Sequence, residues 1–577
     1  MNQVKGIPYG ISDFNRMRNE NFYFVDKTMY LSLIEKMPSY LFLIRPRRFG
    51  KSLFLSMMRT YYDLLQRDNF DRYFGDLWIG SHPTAQRNRF QVLFFDFSKA
   101  GTSLPGADLM SSFNEYCSII INQFAHEYAP FYDADFKTTI EKIESAKAKL
   151  SYIEVKAKEK GYPLYLIIDE YDNFTNVILS EHGQKMFHDL THASGFYREY
   201  FKQFKGMFDR IFMMGVSPVT LDDLSSGYNI DWNISTDPRF NAMMGFSETE
   251  VRNMFAYYQQ NGMLEGDIDV MIAEMKPWYN NYCFARMALG DDRIFNCDMT
   301  LYYLRSQVDF HRSPEDMVDK NIRTDYSKLK MLARIDHDQT REGSRMSTIE
   351  EIAAKGEILV DLHTSFPSEK VTDIENFRSL LYYYGLLTIC GTRGDRLRMC
   401  IPNNCVREQY FGFLRDYYQQ THSLNLSHLK DLIDDFAYDG HWKPFFETIV
   451  CAYRENSSIR DGMEGERNLQ GFLKAYLALA SYYLVEPELE MNYGYCDFFL
   501  LPDKSRYPDV QHSYILELKY ALRTATDAEL EVQAEEGRCQ LMQYSTDKIV
   551  TQLAAKTTLH RLLLQFRGWN MVRCEEI

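Results

Sequence analysis

At 577 residues the chain is too long to bury a single hydrophobic core, and about three or four domains are expected. Aromatic residues at 15% and charged residues at 25% exclude a disordered or fibrous chain and describe a globular one. The net charge of −15 argues against avid, non-specific nucleic-acid binding over the whole surface but leaves room for a local basic cleft.

The first informative stretch is "YLFLIRPRRFGKSLFLSMMRTYYDLL", residues 40–65. "YLFLI" is almost wholly apolar, as a strand covered on both faces should be, and Leu53, Phe54, Met57, Met58 and Tyr61 then recur at helical spacing. A tight turn between strand and helix leaves the first helical N–H groups unpaired, and those donors suit a phosphate. Gly50, Lys51 and Ser52 fit the end of the phosphate-loop pattern GxxxxGK[ST], in which the lysine reaches the outer phosphates and the hydroxyl holds Mg²⁺. The first glycine of that pattern is replaced by Arg45, and Pro46, Arg47, Arg48 and Phe49 fill the loop. Residues 1–60 hold ten Lys/Arg against four Asp/Glu, a net of +6, so positive charge gathers where the phosphates are expected.

Further on, "FQVLFFDFS" (90–98), "YPLYLIIDEYDNF" (162–174) and "RIFMMGVSP" (210–218) read as buried strands separated by long helical stretches, which implies a parallel α/β sheet. Asp169 and Glu170 stand at the carboxyl end of their strand, where open α/β sheets place ligands. Asp169 suits a Mg²⁺-holding role, and Glu170 suits the base that orients and deprotonates the attacking water. Ser217 ends the next strand, where many phosphate-loop ATPases carry a polar residue that senses the terminal phosphate; a serine turn before Pro218 is the alternative.

Residues 275–460 are largely helical in pattern. Within them "FRSLLYYYGLLTICGTRGDRLRMCIPNNCVREQYFGFL" reads as a helix, a hairpin across Gly391 to Asp395, and another helix, an order that suits a winged-helix lid. Few basic residues lie on its second helix, which favours packing on the nucleotide site over DNA binding.

Near the C-terminus "GYCDFFLLP" (494–502) and "YILELKYA" (514–521) each look like a strand. The two-residue step puts Glu517 and Lys519 on one face, and Asp497 joins them from the other strand. Such an aspartate with Glu-x-Lys can grip Mg²⁺ through carboxylates and a main-chain carbonyl while the ammonium polarises a water, the PD-(D/E)XK arrangement. Glu466, in "GMEGERNLQGFLKAYL", adds a further candidate acid for the metal. Glu-x-Lys by itself is what any half-exposed strand carries.

The ten cysteines are scattered without a CxxC pair, so neither a zinc site nor a disulfide framework is expected. "MNQVKGIPYGISDFNRMRNENFYF" lacks an apolar run with a cleavage site, and no stretch of about 18 apolar residues occurs, so a cytoplasmic location is the expectation.

"FYFVDKT" (22–28), "RPRRFGKS" (45–52), "LIIDEYDN" (166–173), "MGVSPV" (214–219) and "WYNNYCF" (278–284) together resemble the predicted AAA-ATPase-like proteins, many of them bacterial, that carry a PD-(D/E)XK nuclease-like domain at the C-terminus. The resemblance covers nearly the whole chain. It implies an AAA-like phosphate-loop domain over 1–270, a helical and winged-helix lid region over 271–425, and a PD-(D/E)XK nuclease-like α/β domain over 426–577. The family's own loop is Arg-Pro-Arg-Arg-Phe-Gly-Lys, so Arg45 is a family trait. Arg45 and Arg48 then join Gly50, Lys51, Ser52, Asp169 and Ser217 as residues expected around ATP·Mg²⁺. Ser52 and Asp169 are the metal-holding pair there, and Glu466, Asp497 and Glu517 are the metal-holding set of the second site. Asn281 stands where the family commonly has glycine, which puts the local turn in question. Gln540 and Tyr544 resemble the family's helical glutamine and tyrosine at closer spacing.

Residues 461–577 hold twelve Lys/Arg and eighteen Asp/Glu, a net of −6, a poor surface for a phosphate backbone unless positive charge is focused. Three readings stay open. ATP binding or hydrolysis gates a metal-dependent nuclease acting on DNA or RNA; or the chain is a nucleotide-driven switch whose nuclease fold is a binding module; or both sites are decayed and the chain is a scaffold. The oligomeric state is not readable, and no membrane partner is expected.

Overall fold

The computed structural model describes residues 3–100, 109–174, 196–218, 232–319, 345–367, 370, 373–421, 425–457, 466–479, 482–491, 494–504 and 506–577. The chain forms two compact units, each built from two stretches: Met1–Asp319 with Leu359–Asn403, and Lys320–Ile358 with Asn404–Ile577. The expected middle region, 271–425, is therefore divided between the units.

The first unit is organised by five strands: β1 (Tyr40–Ile44), β2 (Gln91–Asp96), β3 (Leu164–Asp169), β4 (Arg210–Gly215) and β5 (Trp232–Asn233). They pair in parallel in the order β2-β3-β4-β1-β5. All of β3 and residues 41–44 of β1 are buried, as strands covered on both faces must be. Helix α1 (Lys51–Tyr62) follows β1 and buries Phe54, Met57, Met58 and Tyr61 in one cluster with Leu41, Leu43 and Tyr165. Helices α2 (Leu109–Tyr128) and α3 (Ala146–Lys160) lie between β2 and β3 in the chain, the crossover that a parallel pair requires. The order leaves β4 between β1 and β3. Register sets Ile44 beside Gly215 and Asp96 beside Asp169, so the carboxyl ends of the strands stand level.

Helix α4 (Cys297–Phe310) and helix α5 (Ile374–Tyr383) belong to the same unit. After α5 comes the expected hairpin, β7 (Thr388–Arg393) and β8 (Arg396–Cys400), whose turn carries Gly394 at φ +62°. Strand β6 (Glu357–Val360) precedes them in the chain and completes a sheet of order β6-β8-β7. The helix after the hairpin, Asn404–Thr421, falls in the second unit.

The second unit holds a mixed sheet of β9 (Tyr483–Met491), β10 (Gly494–Pro502), β11 (His512–Ala521), β12 (Thr558–Arg567) and β13 (Asn570–Glu576), in the order β13-β12-β11-β10-β9. Only β11 and β12 pair in parallel. Helix α6 (Glu466–Leu477) precedes the sheet, and α7 (Asp527–Ser545) supplies the crossover from β11 to β12. A capping box, Thr526 with Glu529, starts α7, and its Ala534, Leu541 and Tyr544 join Phe499, Ile515 and Leu563 in a core. Among the described residues no helix is long and apolar enough to cross a membrane.

Candidate functional sites

The turn from β1 into α1 makes the first site. Gly50 caps α1 at φ +84°, and Arg48 is also left-handed at φ +67°. The loop therefore doubles back and leaves the first N–H groups of α1 as anion donors. Lys51 is buried, and its Nζ donates to the Pro46 carbonyl at 2.9 Å, spanning the loop's own mouth. Ser52 Oγ donates to Asp169 Oδ2 at 2.6 Å, which joins the two motifs. The Glu170 N–H donates to the other Asp169 oxygen at 2.9 Å. Glu170 itself sits at φ +49°, a costly conformation for a residue with a Cβ, and such strain concentrates at working sites.

The charges explain the pairing. Burial pulls the Lys51 ammonium below its ordinary value, while Asp169, Glu170 and Asp172 push it back up. Burial raises Asp169; the Ser52 hydrogen bond and Lys51 oppose that, and Glu170 and Asp96 add to it. Carboxylates crowded this way around a single ammonium favour a further cation. A hydroxyl hydrogen-bonded to a buried carboxylate beside a phosphate loop fits Mg²⁺ carried by a nucleotide.

Arg45 serves the loop from behind. It is 1% exposed, and its guanidinium donates to the carbonyls of Ile44 at 2.9 Å, Ser235 at 2.7 Å and Phe240 at 3.0 Å, over the Phe284 ring. Burial brings it down to about 10. Three main-chain acceptors hold its two terminal nitrogens, while its Nε is buried without a hydrogen-bond partner among the described residues, so Arg45 fastens the loop's entry. Arg48 pairs with Asp298, in the first turn of α4, at 3.2 Å.

Ser217 is completely buried. Its N–H donates to Asp172 Oδ2 at 2.7 Å, and its carbonyl accepts from Tyr171 Oη at 2.6 Å. Gly215 permits this, because a Cβ there would lie 2.4 Å from Tyr171 Cε1 and 2.5 Å from Asp172 Oδ1. The residue after Tyr384, Gly385, touches the loop: a Cβ on it would lie 2.8 Å from Pro46 Cβ, and its φ is +76°. The chain after α5 is thus packed on the phosphate loop. Asn281 keeps the left-handed turn with φ +78°, a conformation asparagine tolerates better than most residues.

The second site lies on β10 and β11. Asp497 Oδ2 accepts from the Leu518 N–H at 2.7 Å, and Oδ1 accepts from Gln470 Nε2 at 3.2 Å. Lys519 Nζ donates to Glu517 Oε1 at 2.9 Å and to Gln540 Oε1 at 2.6 Å. Glu517 is 4% exposed, and its Oε2 is buried without a hydrogen-bond partner. Burial raises Asp497 to about 6, with Glu466 adding to the rise and Lys519 and Lys474 opposing it. Burial likewise raises Glu517 to about 7, helped by Asp497 and Glu466 and opposed by Lys519. An orphaned carboxylate oxygen beside a second buried carboxylate is a set of hard donors that a divalent ion fits. Among the described residues no three His, Cys, Asp or Glu side chains already stand at ligand spacing, so Glu466, exposed at the start of α6, would have to reach inward. Tyr544 is a core residue; Gln540 is the member of that pair that meets the site.

Sequence reasoning passed over Asp172, Asp298, Gln470 and Lys474. Two of these carried a signal, since Glu466, Gln470 and Lys474 repeat every four residues and share one face of α6. Lys474 is buried over the Phe498 ring and donates to the Ala354 carbonyl. Asp298 carried none, because it meets Arg48, far away in the chain.

A parallel sheet that offers a phosphate loop and an acidic strand end defines an AAA-ATPase-like nucleotide-binding domain, and the mixed sheet with its Asp/Glu-x-Lys set is of the PD-(D/E)XK kind. The comparisons agree. Residues 8–225 match the family model described as predicted AAA-ATPase, and residues 464–576 match that of the PD-(D/E)XK nuclease superfamily. The chain thus carries a predicted AAA-ATPase region followed by a PD-(D/E)XK nuclease superfamily region. It is 29% identical over 291 residues to an uncharacterized protein in the vnfD 5' region of Azotobacter chroococcum mcd 1, and the match spans 48% of each chain, about half the length of that curated relative. Among solved structures it is similar to the Aeropyrum pernix ORC1 protein in complex with DNA, at 10% identity and TM-score 0.25 over 70% of this chain and 93% of that one. It is also similar to the ORC2 protein of Aeropyrum pernix in ADPNP–ADP complexes, at 9% identity and TM-score 0.30 over 68% and 92%.

Proposed function

We propose that the first unit binds ATP with Mg²⁺ and hydrolyses it, and that the second unit is a metal-dependent nuclease centre governed by that cycle. The observation that carries the ATPase reading is the 2.6 Å hydrogen bond from Ser52 to Asp169, because it sets the helix that would hold the phosphates against the strand that would hold their metal. In this reading the α1 N–H groups and Lys51 bind the phosphates, with Lys51 exchanging the Pro46 carbonyl for a phosphate oxygen. Ser52 and Asp169 hold Mg²⁺, which neutralises charge on the phosphates. Glu170 takes the proton of the attacking water.

For the second unit, Asp497 and Glu517 hold the ion, with Glu466 as a further ligand, and the ion would lower the pKa of a bound water and polarise a phosphodiester. Lys519, kept in place by Glu517 and Gln540, orients that water. The test is incubation of the purified protein with Mg²⁺ or Mn²⁺, with and without ATP, on DNA and RNA substrates, alongside Lys51→Ala and Asp497→Ala. Cleavage that needs the metal and Asp497 supports the nuclease; dependence on Lys51 as well supports its control by ATP.

A second reading, a nucleotide-driven switch whose nuclease-like unit only binds, draws on the net charge of −6 over residues 461–577. ATP turnover without cleavage under any of these conditions would select it. A cytoplasmic location belongs with both readings.

A further inference from the structure

Both oxygens of Asp497 are held, and by different elements. Asp497 stands one step outside the pair Phe498–Leu516, where the register of β10 with β11 begins, and its Oδ2 accepts the Leu518 N–H at 2.7 Å. Leu518 lies between Glu517 and Lys519, so that bond ties the carboxylate to the strand that carries the Glu-x-Lys set. Oδ1 accepts from Gln470 Nε2 at 3.2 Å, and Gln470 comes from α6. One donor on one oxygen leaves a carboxylate free to turn about its Cβ–Cγ bond. A donor on each oxygen fixes its plane.

Helix α6 is a stiff mount for that second donor. Leu469, Phe472 and Leu473 beside Gln470 are buried, Phe472 meets the Tyr418 ring edge-on at 5.3 Å, and Lys474 donates to the Ala354 carbonyl. Gln470 itself is half-buried, whereas Glu466 one turn earlier is exposed, so Gln470 is the residue by which α6 already meets the centre. A neutral amide suits the place. It fixes the oxygen without cancelling the negative charge that a cation needs, as a lysine or arginine there would, and it leaves the carboxylate further lone pairs to give. Glu517 Oε2, buried without a hydrogen-bond partner among the described residues, is the companion donor.

We infer that Gln470 is a positioning residue for the metal centre, holding the Asp497 carboxylate in the orientation in which it and Glu517 receive a divalent ion. The inference rests on the metal-binding reading of this site given above. Gln470 is not itself a ligand, since against an ionised carboxylate only the nitrogen end of its amide can face Asp497.

The test uses the full-length protein with Mn²⁺ as the only added ion and no nucleic acid. Affinity is read by titration calorimetry, the ligand field by the electron paramagnetic resonance spectrum at saturating Mn²⁺, and folding by the melting temperature without metal. Gln470→Leu keeps size and helix preference and removes the N–H. Its Mn²⁺ affinity falls by about tenfold or more, its spectrum differs from the parent's because Asp497 is free to turn, and its metal-free melting temperature stays at the parent's. Gln470→Ala behaves alike. Leu473→Val is the control: it trims a fully buried side chain of the same helix, lowers the melting temperature and keeps both affinity and spectrum. Parental affinity or a parental spectrum in Gln470→Leu overturns the inference and leaves the metal-binding reading standing, as does a loss of affinity that comes only with a fall in melting temperature as large as the control's. A parent protein that binds no Mn²⁺ overturns both.

Discussion

Ser52 and Asp169 lie 117 positions apart and share a hydrogen bond of 2.6 Å. The bond exists because β3 and β1 run parallel with one strand between them, so that the helix start after β1 and the end of β3 open on the same edge of the sheet. In the proposed ATPase reading, an acid and a hydroxyl so placed would hold the cation that a nucleotide brings.

Lys51 is the first test. Replacing it with alanine removes a buried ammonium beside Asp169, Glu170 and Asp172. Without that one charge-assisted hydrogen bond to a phosphate, ATP binding weakens by about 1.5–3 kcal/mol, roughly ten- to a hundredfold. Titration calorimetry measures it. Binding as tight as the parent's would place the nucleotide elsewhere.

Glu170→Gln keeps shape and removes the base. ATP still binds, and phosphate release falls by about 10² to 10⁴. Asp169→Asn behaves differently, since the defect lies in holding Mg²⁺ and eases as Mg²⁺ is raised. A Glu170→Gln variant that hydrolyses ATP at the parent rate takes Glu170 out of the reaction.

Asp298 gives a prediction with an informative sign. It holds Arg48 at 3.2 Å and so competes with a phosphate for the guanidinium. The pair is partly exposed and is worth at most about 1 kcal/mol, so Asp298→Asn tightens ATP binding by about two- to fivefold. The gain vanishes in an Arg48→Ala background. Weaker binding in Asp298→Asn would mean that the aspartate aims Arg48 at the ligand instead.

The pH dependence of the second site follows from Asp497 and Glu517, raised to about 6 and about 7. A carboxylate with a raised folded-state pKa stabilises the fold below its unfolded value of about 4, and that contribution is lost as pH rises through the folded value. Without metal, the melting temperature therefore falls between about pH 4 and 7, and Glu517→Gln blunts the fall. Added Mn²⁺ offsets it at pH 8, where both groups are ionised. Mn²⁺ affinity by calorimetry drops by about tenfold or more from pH 8 to pH 6, because the ion must displace protons. A flat profile would show that these carboxylates do not hold the ion.

Lys519→Ala separates metal from chemistry. The variant keeps Mn²⁺, since Lys519 is no ligand, and loses whatever cleavage the parent has, whereas Asp497→Ala loses both. Ca²⁺ does not replace Mg²⁺, as it binds oxygen ligands but activates water poorly. Lys519→Ala with parental cleavage would leave the ammonium a purely structural partner of Glu517 and Gln540.

The sheet and both motifs were legible in the chain because their signals are local. An unbroken apolar run such as "LIID" buries both faces wherever it lies, Gly50-Lys51-Ser52 needs only its own turn, and Glu517 and Lys519 share a face because a strand repeats every two residues. The hairpin at Gly394 and the face of α6 belong to the same class. Only the tertiary structure decided which side chains serve the site and which serve the scaffold. Arg45 and Arg48 are three positions apart in one basic run, yet Arg45 is enclosed by the carbonyls of Ile44, Ser235 and Phe240 while Arg48 faces Asp298. Ser217 reads as a phosphate sensor or as a turn serine, and only the fold shows Asp172 and Tyr171 fixing its main chain. A chain's local pattern reports burial and periodicity, which depend on near neighbours. Where a guanidinium or a hydroxyl finds its partner depends on strand order and on the meeting of segments more than a hundred residues apart, and those are settled only when the sheet closes.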